Sequence, residues 1–149
     1  MPQRVEAFEF YSRVSPEEQK SVEDVVSLIL KVVKDQPRWR GVVALVGGRL
    51  NKPGKRKDID IKVIIFDYSY AEAITQAVEN GIAGPDRQFA YVKLGNEYND
   101  NIALYLQSPD SMDGTPIHLI LPSHGISANN LDSRWPWNRK KKFAILAEF

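Results

Sequence analysis

At 149 residues the chain is long enough for one domain with a core of its own and leaves little room for a second. Its 43% apolar and 26% charged residues argue against a disordered chain, and a net charge of +1 gives no global attraction to nucleic acid or membrane. The lack of cysteine excludes a disulfide framework, a cysteine-ligated zinc or iron–sulfur site and a cysteine nucleophile.

No apolar run approaches the roughly 18 residues a bilayer span needs, and residues 1–13 contain no apolar signal core, so a cytoplasmic protein with no membrane partner is expected. Residues 1–14 read as an arm or a short edge element. Ser15-Pro16-Glu17-Glu18 then signals a helix start: Ser15 can cap, Pro16 suits the first helical position and Glu18 completes a capping box. Val22, Val25, Val26, Ile29 and Val33 follow helical spacing, Leu28, Leu30 and Val32 widen the stripe, and Pro37 stops it. Val42 to Val46 is a continuous β-rich run, suited to a buried central strand, and it ends at Gly47-Gly48. From Asp58 to Phe66 the chain alternates, with Asp58, Asp60 and Lys62 on one face and Ile59, Ile61, Val63 and Ile65 on the other. Ser69 to Ile82 reads as a second helix closed by Gly84-Pro85. Gln88–Leu94 and Ile102–Gln107 read as strands joined by the polar turn GNEYND, and Ile117–Leu121 as a further strand ended by Pro122. The order predicts a single α+β domain over residues 1–149, with a mixed sheet of about five strands flanked by helices. Within it, 123–149 form a C-terminal extension.

The segment that points to chemistry is Gly47-Gly48, a nine-residue spacer, and Asp58-Ile59-Asp60. A buried strand delivers two glycines to a turn, where bare backbone can approach a phosphate and donate amides to it. The next strand carries two aspartates two residues apart, so both face the same way. Such a pair can hold a hard divalent cation through oxygen. Together these parts can place a nucleoside triphosphate and its metal where an attacking oxygen meets the α-phosphorus, with two ions steadying the attacking and leaving oxygens.

These residues resemble the signature of the DNA polymerase β-type nucleotidyltransferase superfamily: a glycine pair, a short spacer, then Asp-x-Asp or Asp-x-Glu. The length resembles that of its minimal members. The resemblance is specific over residues 42–66, extends by element order to about 122 and does not reach the tail. It implies transfer of a nucleoside monophosphate from an NTP, with Mg²⁺ (one or two ions) as cofactor. Gly47, Gly48 and Arg49 would then bind nucleotide, while Asp58 and Asp60 would hold metal. The family's third carboxylate sits on a later strand between apolar residues. Here Ile117-His118-Leu119 occupies that place. His118 has the parity to face the site and can ligate a metal or accept a proton, but it brings no negative charge. Asp110 and Asp113 are alternative carboxylates. The departure keeps a second function in view: a catalytically inactive nucleotidyltransferase-like domain that binds nucleotide, RNA or a protein partner.

Each part also has a plainer reading. A glycine pair ends many strands, and two aspartates at a strand start are often only solvated. If both are accidental, the chain is an interaction module in which the glycine turn and the aspartate strand are not neighbours. Arg49, Lys52, Lys55, Arg56 and Lys57 put five cations in nine residues, either beside triphosphate or RNA or on a solvated loop around Pro53-Gly54. Lys62 could touch a phosphate or neutralise Asp60. His124 reads as a surface loop residue. Trp135 and Trp137 beside the cations at 139–142 could stack on bases, or could pack the tail onto the domain. The acceptor is unspecified, and a partner protein or a homo-oligomer could help to select it.

Overall fold

A computed structural model describes residues 3–47, 58–84, 89–98, 101–107, 115–123 and 142–149. The elements in chain order are β1 (Gln3–Val5), α1 (Ala7–Tyr11), α2 (Pro16–Val33), β2 (Gly41–Val46), β3 (Ile59–Ile65), a 3₁₀ turn (Tyr68–Tyr70), α3 (Ala71–Ala83), β4 (Ala90–Tyr98), β5 (Asn101–Gln107), β6 (Ile117–Ser123) and β7 (Lys142–Glu148). The fold is α+β, as expected.

The capping box at the start of α2 forms in full. Ser15 Oγ accepts from the Glu18 amide, and Glu18 Oε1 accepts from the Ser15 amide, both at 3.1 Å. The other Glu18 oxygen accepts from Thr115 Oγ1 at 2.7 Å, which ties the helix start to the segment entering β6. From there the helix buries Val22, Val25, Ile29 and Val33. Complete burial of each such side chain contributes about 1.5–3 kcal/mol. α3 presents Ile74, Val78 and Ile82 in the same way, and α2 and α3 pack together. Both helices cover one sheet face, formed by Val43, Leu45, Ile59, Ile61, Val63, Ile65, Leu104, Leu106, Ile117, Leu119 and Leu121. The opposite face carries a second apolar group of Val42, Ala44, Val46, Ile64 and Phe143. Both faces of β2 are thus buried, which is why its sequence is an unbroken apolar run.

The sheet has seven strands in the order β1-β7-β2-β3-β6-β5-β4, more than the five or so expected. The two additions come from the ends of the sequence. β1 is the short edge element read in the first residues, and it pairs parallel to β7. β7 pairs antiparallel to β2. Phe149 and Gly41 exchange both backbone hydrogen bonds at 3.0 Å. Gly41 has to be glycine there, because an added Cβ would overlap the Ile64 carbonyl and lie 3.0 Å from Ile65 Cα. Two expected boundaries also move. GNEY lies within β4, which runs to Tyr98, and β6 continues through Pro122 to Ser123. α1 was not anticipated; at five residues it is too short for a periodic signal. No helix among the described residues is long and apolar enough to cross a membrane.

Candidate metal and nucleotide site

Strand register places the candidate residues in one row across the sheet. β2 and β3 are antiparallel, with Val46 opposite Asp60. β3 and β6 are parallel, with Asp60 opposite His118. β5 and β6 are antiparallel, with Tyr105 opposite His118. Register partners share a face, so Val46, Asp60, His118 and Tyr105 lie side by side. Asp58 stands immediately before β3, with the parity of Asp60.

Gly47 leaves β2 at the end of this row. Its φ is +79°, in the left-handed region that glycine enters without penalty. An added Cβ would overlap the Asp60 carboxylate, meeting its Cγ at 2.7 Å and its Cβ at 2.9 Å. The glycine is therefore required twice over, by its backbone angle and by the carboxylate against it. The sequence reading asked for a bare backbone so that phosphate could approach. In the fold the same bareness first makes room for Asp60.

His118 Nδ1 lies 3.0 Å from Asp60 Oδ1. A carboxylate can only accept, so in this contact Nδ1–H donates. Tyr105 Oη donates to Asp58 Oδ2 at 3.2 Å. The Tyr105 and His118 rings stack with centroids 5.0 Å apart and planes inclined by 11°. Tyr105 thus holds one aspartate by its hydroxyl and the imidazole by its ring. Side-chain exposure is 20% for Asp60 and 7% for His118, so the group opens on the aspartate side. One ligand atom each from Asp58, Asp60 and His118 lies within 4.8 Å of the others. Two carboxylate oxygens and an imidazole nitrogen at that separation fit a divalent cation.

Lys62 keeps the parity of Asp60 but not its exposure. It is fully buried, opposite Ala44 on one side and Ile120 on the other. Burial pushes its ammonium down to about 6, so the side chain is largely neutral at pH 7. Contact with a triphosphate would require it to be uncovered. Gly48, the basic stretch 49–57 with Arg49, Asp110, Asp113, His124, and Trp135 and Trp137 with residues 139–141 lie outside the described residues.

Sequence reasoning missed Tyr105. Its strand was anticipated, but nothing local in Ile102–Gln107 indicates which neighbour it pairs with. The signal was long-range register, which joins Tyr105 to His118 and His118 to Asp60.

No protein-family model and no curated protein matches the chain. Among solved structures, the chain is similar to Cid1, which has RNA terminal uridylyl transferase activity. The TM-score is 0.47 and the identity 14%, over 76% of this chain and 33% of that one. The chain thus corresponds to about a third of that structure's length. A likeness of this order carries no argument about function, and the reading that follows stands on the site itself.

Proposed function

We propose that the protein is a metal-dependent nucleotidyltransferase that moves a nucleoside monophosphate from an NTP to an acceptor and releases pyrophosphate. One observation carries this reading: Asp58, Asp60 and His118 converge beside the glycine turn that the resemblance requires. The antiparallel pairing of β2 and β3 by itself brings Gly47 beside Asp60, whereas His118 arrives from a strand some fifty residues on.

In this reading an acceptor hydroxyl oxygen bonds to the α-phosphorus as the bond to the bridging α–β oxygen breaks. Pyrophosphate leaves with that electron pair, and the hydroxyl proton passes to a carboxylate of the aspartate pair. Asp58 and Asp60 would hold a divalent cation, Mg²⁺ in the family's usual form. When bound, the ion would supply positive charge to the triphosphate and to the attacking and leaving oxygens. Gly47 and Gly48 would present backbone to the triphosphate, and Arg49 would neutralise its charge. Lys62 would join them only if uncovered. His118 orients Asp60 through their 3.0 Å contact and stands where the third carboxylate is expected. A cytoplasmic location, where NTP is abundant, belongs to the same reading, as does a partner or second copy that selects a protein or RNA acceptor.

The test is calorimetric titration of the four NTPs with and without divalent metal, on the wild type and on Asp58→Asn/Asp60→Asn. Metal-dependent binding that the double variant loses is the expected result. No binding to the wild type at millimolar nucleotide sinks the enzyme reading. The histidine at the carboxylate position favours a second reading, a catalytically inactive domain that binds nucleotide, RNA or a protein. Binding of NTP without pyrophosphate release, across a panel of acceptors, would select it.

A further inference from the structure

We infer that the Asp58–Asp60–His118 site is built for a divalent first-row transition ion, one that accepts nitrogen, in preference to Mg²⁺. The inference rests on the metal-binding part of the reading above and names the class of ion.

The donor set decides it. Mg²⁺ is small and hard, is held through oxygen and gives up water reluctantly. Imidazole instead suits first-row transition ions such as Fe²⁺, Ni²⁺, Cu²⁺ and Zn²⁺, and Mn²⁺ stands at the weak end of that row, so it is the most demanding probe of the preference. A third carboxylate opposite Asp60 would give three oxygen donors and three negative charges. His118 in that register position leaves two carboxylates and one nitrogen. The change removes one charge that Mg²⁺ needs and adds one donor that it uses poorly.

The geometry suits direct ligation by His118. Adjacent donors on an octahedral ion, each at about 2.1 Å, are roughly 3 Å apart. His118 Nδ1 and Asp60 Oδ1 already stand 3.0 Å apart. The separation is therefore already that of two adjacent ligands, and ligation through Nδ1 requires the imidazole hydrogen on Nε2. The ring is also held. His118 is 6% exposed, and Tyr105 lies nearly parallel against it while its hydroxyl fixes Asp58. Both are features of a rigid ligand set, in which the ring cannot turn aside to let an oxygen-only ion take its place.

The experiment uses Mn²⁺ alone and the full chain with ¹⁵N-labelled histidine. Loss of the free-ion electron paramagnetic resonance signal measures binding, and pulsed measurements on the bound ion detect coupling to histidine nitrogen. The chain has two histidines, so the coupling should persist in His124→Gln and vanish in His118→Gln. At least a ~10-fold excess of Mg²⁺ should be needed to displace Mn²⁺ from the wild type, and His118→Asp should narrow that ratio. The wild-type coupling and competition need no variant to fold. Bound Mn²⁺ without histidine coupling overturns the inference and leaves the metal-dependent reading standing, as does equal competition by Mg²⁺. Failure of the wild type to bind Mn²⁺ at millimolar concentration overturns both.

Discussion

Replacing Lys62 with methionine should stabilise the protein, and by an amount that depends on pH. The lysine is fully buried between Ala44 and Ile120, and burial lowers its ammonium from 10.5 to about 6. Between those two values the unfolded chain binds a proton that the folded chain does not. Stability therefore rises with pH across that window, at about 1.36 kcal/mol per pH unit. Since pH 7 lies 3.5 units below the ordinary value of 10.5, keeping the buried side chain neutral there costs ~5 kcal/mol. Methionine has similar reach, fills the site with apolar atoms and has no proton to lose. Lys62→Met should thus exceed the wild type by roughly 3–5 kcal/mol at pH 7, and the gap should close towards pH 10. Urea unfolding of both proteins at pH 7, 8, 9 and 10 measures it. Two parallel stability curves would refute the reasoning, because a lysine that stays charged in the folded state contributes no such slope.

Other outcomes follow from the same geometry. Gly47→Ala forces a side chain into the left-handed region and against the Asp60 carboxylate. It should cost about 1–3 kcal/mol in urea unfolding and weaken Mn²⁺ binding; unchanged binding would place Asp60 away from the ion. Tyr105→Phe keeps the ring on His118 and removes the hydroxyl from Asp58. Metal affinity should fall about 10-fold with little loss of stability, and Tyr105→Ala should fall further. Equal effects from the two would assign the whole role to the hydroxyl. Ser15→Ala removes a helix cap and should cost ~1 kcal/mol. Glu18→Ala should cost more, because it also releases Thr115; the unfolding midpoints check both.

Much of the fold was legible because each signal was local. The capping box at Ser15 and Glu18 involves neighbours in sequence and forms as read. The unbroken run Val42 to Val46 became a strand buried on both faces. The alternation after Asp58 gave the shared face of Asp60 and Lys62. The same alternation said nothing about depth: of two residues with equal parity, one keeps 20% of its side chain exposed and the other none. Strand β7 escaped because Phe143 to Leu146 is a short apolar run after a segment with no readable sequence periodicity. Its role depends on pairing with β2, a hundred residues earlier by order of magnitude, and no local pattern announces a partner at that distance.

Sequence alone was enough to place the two long helices, the buried strand and the aspartates on one face, since each depends on residues within a few positions of one another. It also put a histidine at the position where the resemblance implies a third carboxylate. Only the tertiary structure decided that this histidine meets Asp60, that Tyr105 holds both His118 and Asp58, and that Lys62 is buried rather than presented. Those contacts are matters of register between strands far apart in the chain, and a shift of one residue in pairing turns every side chain to the other face.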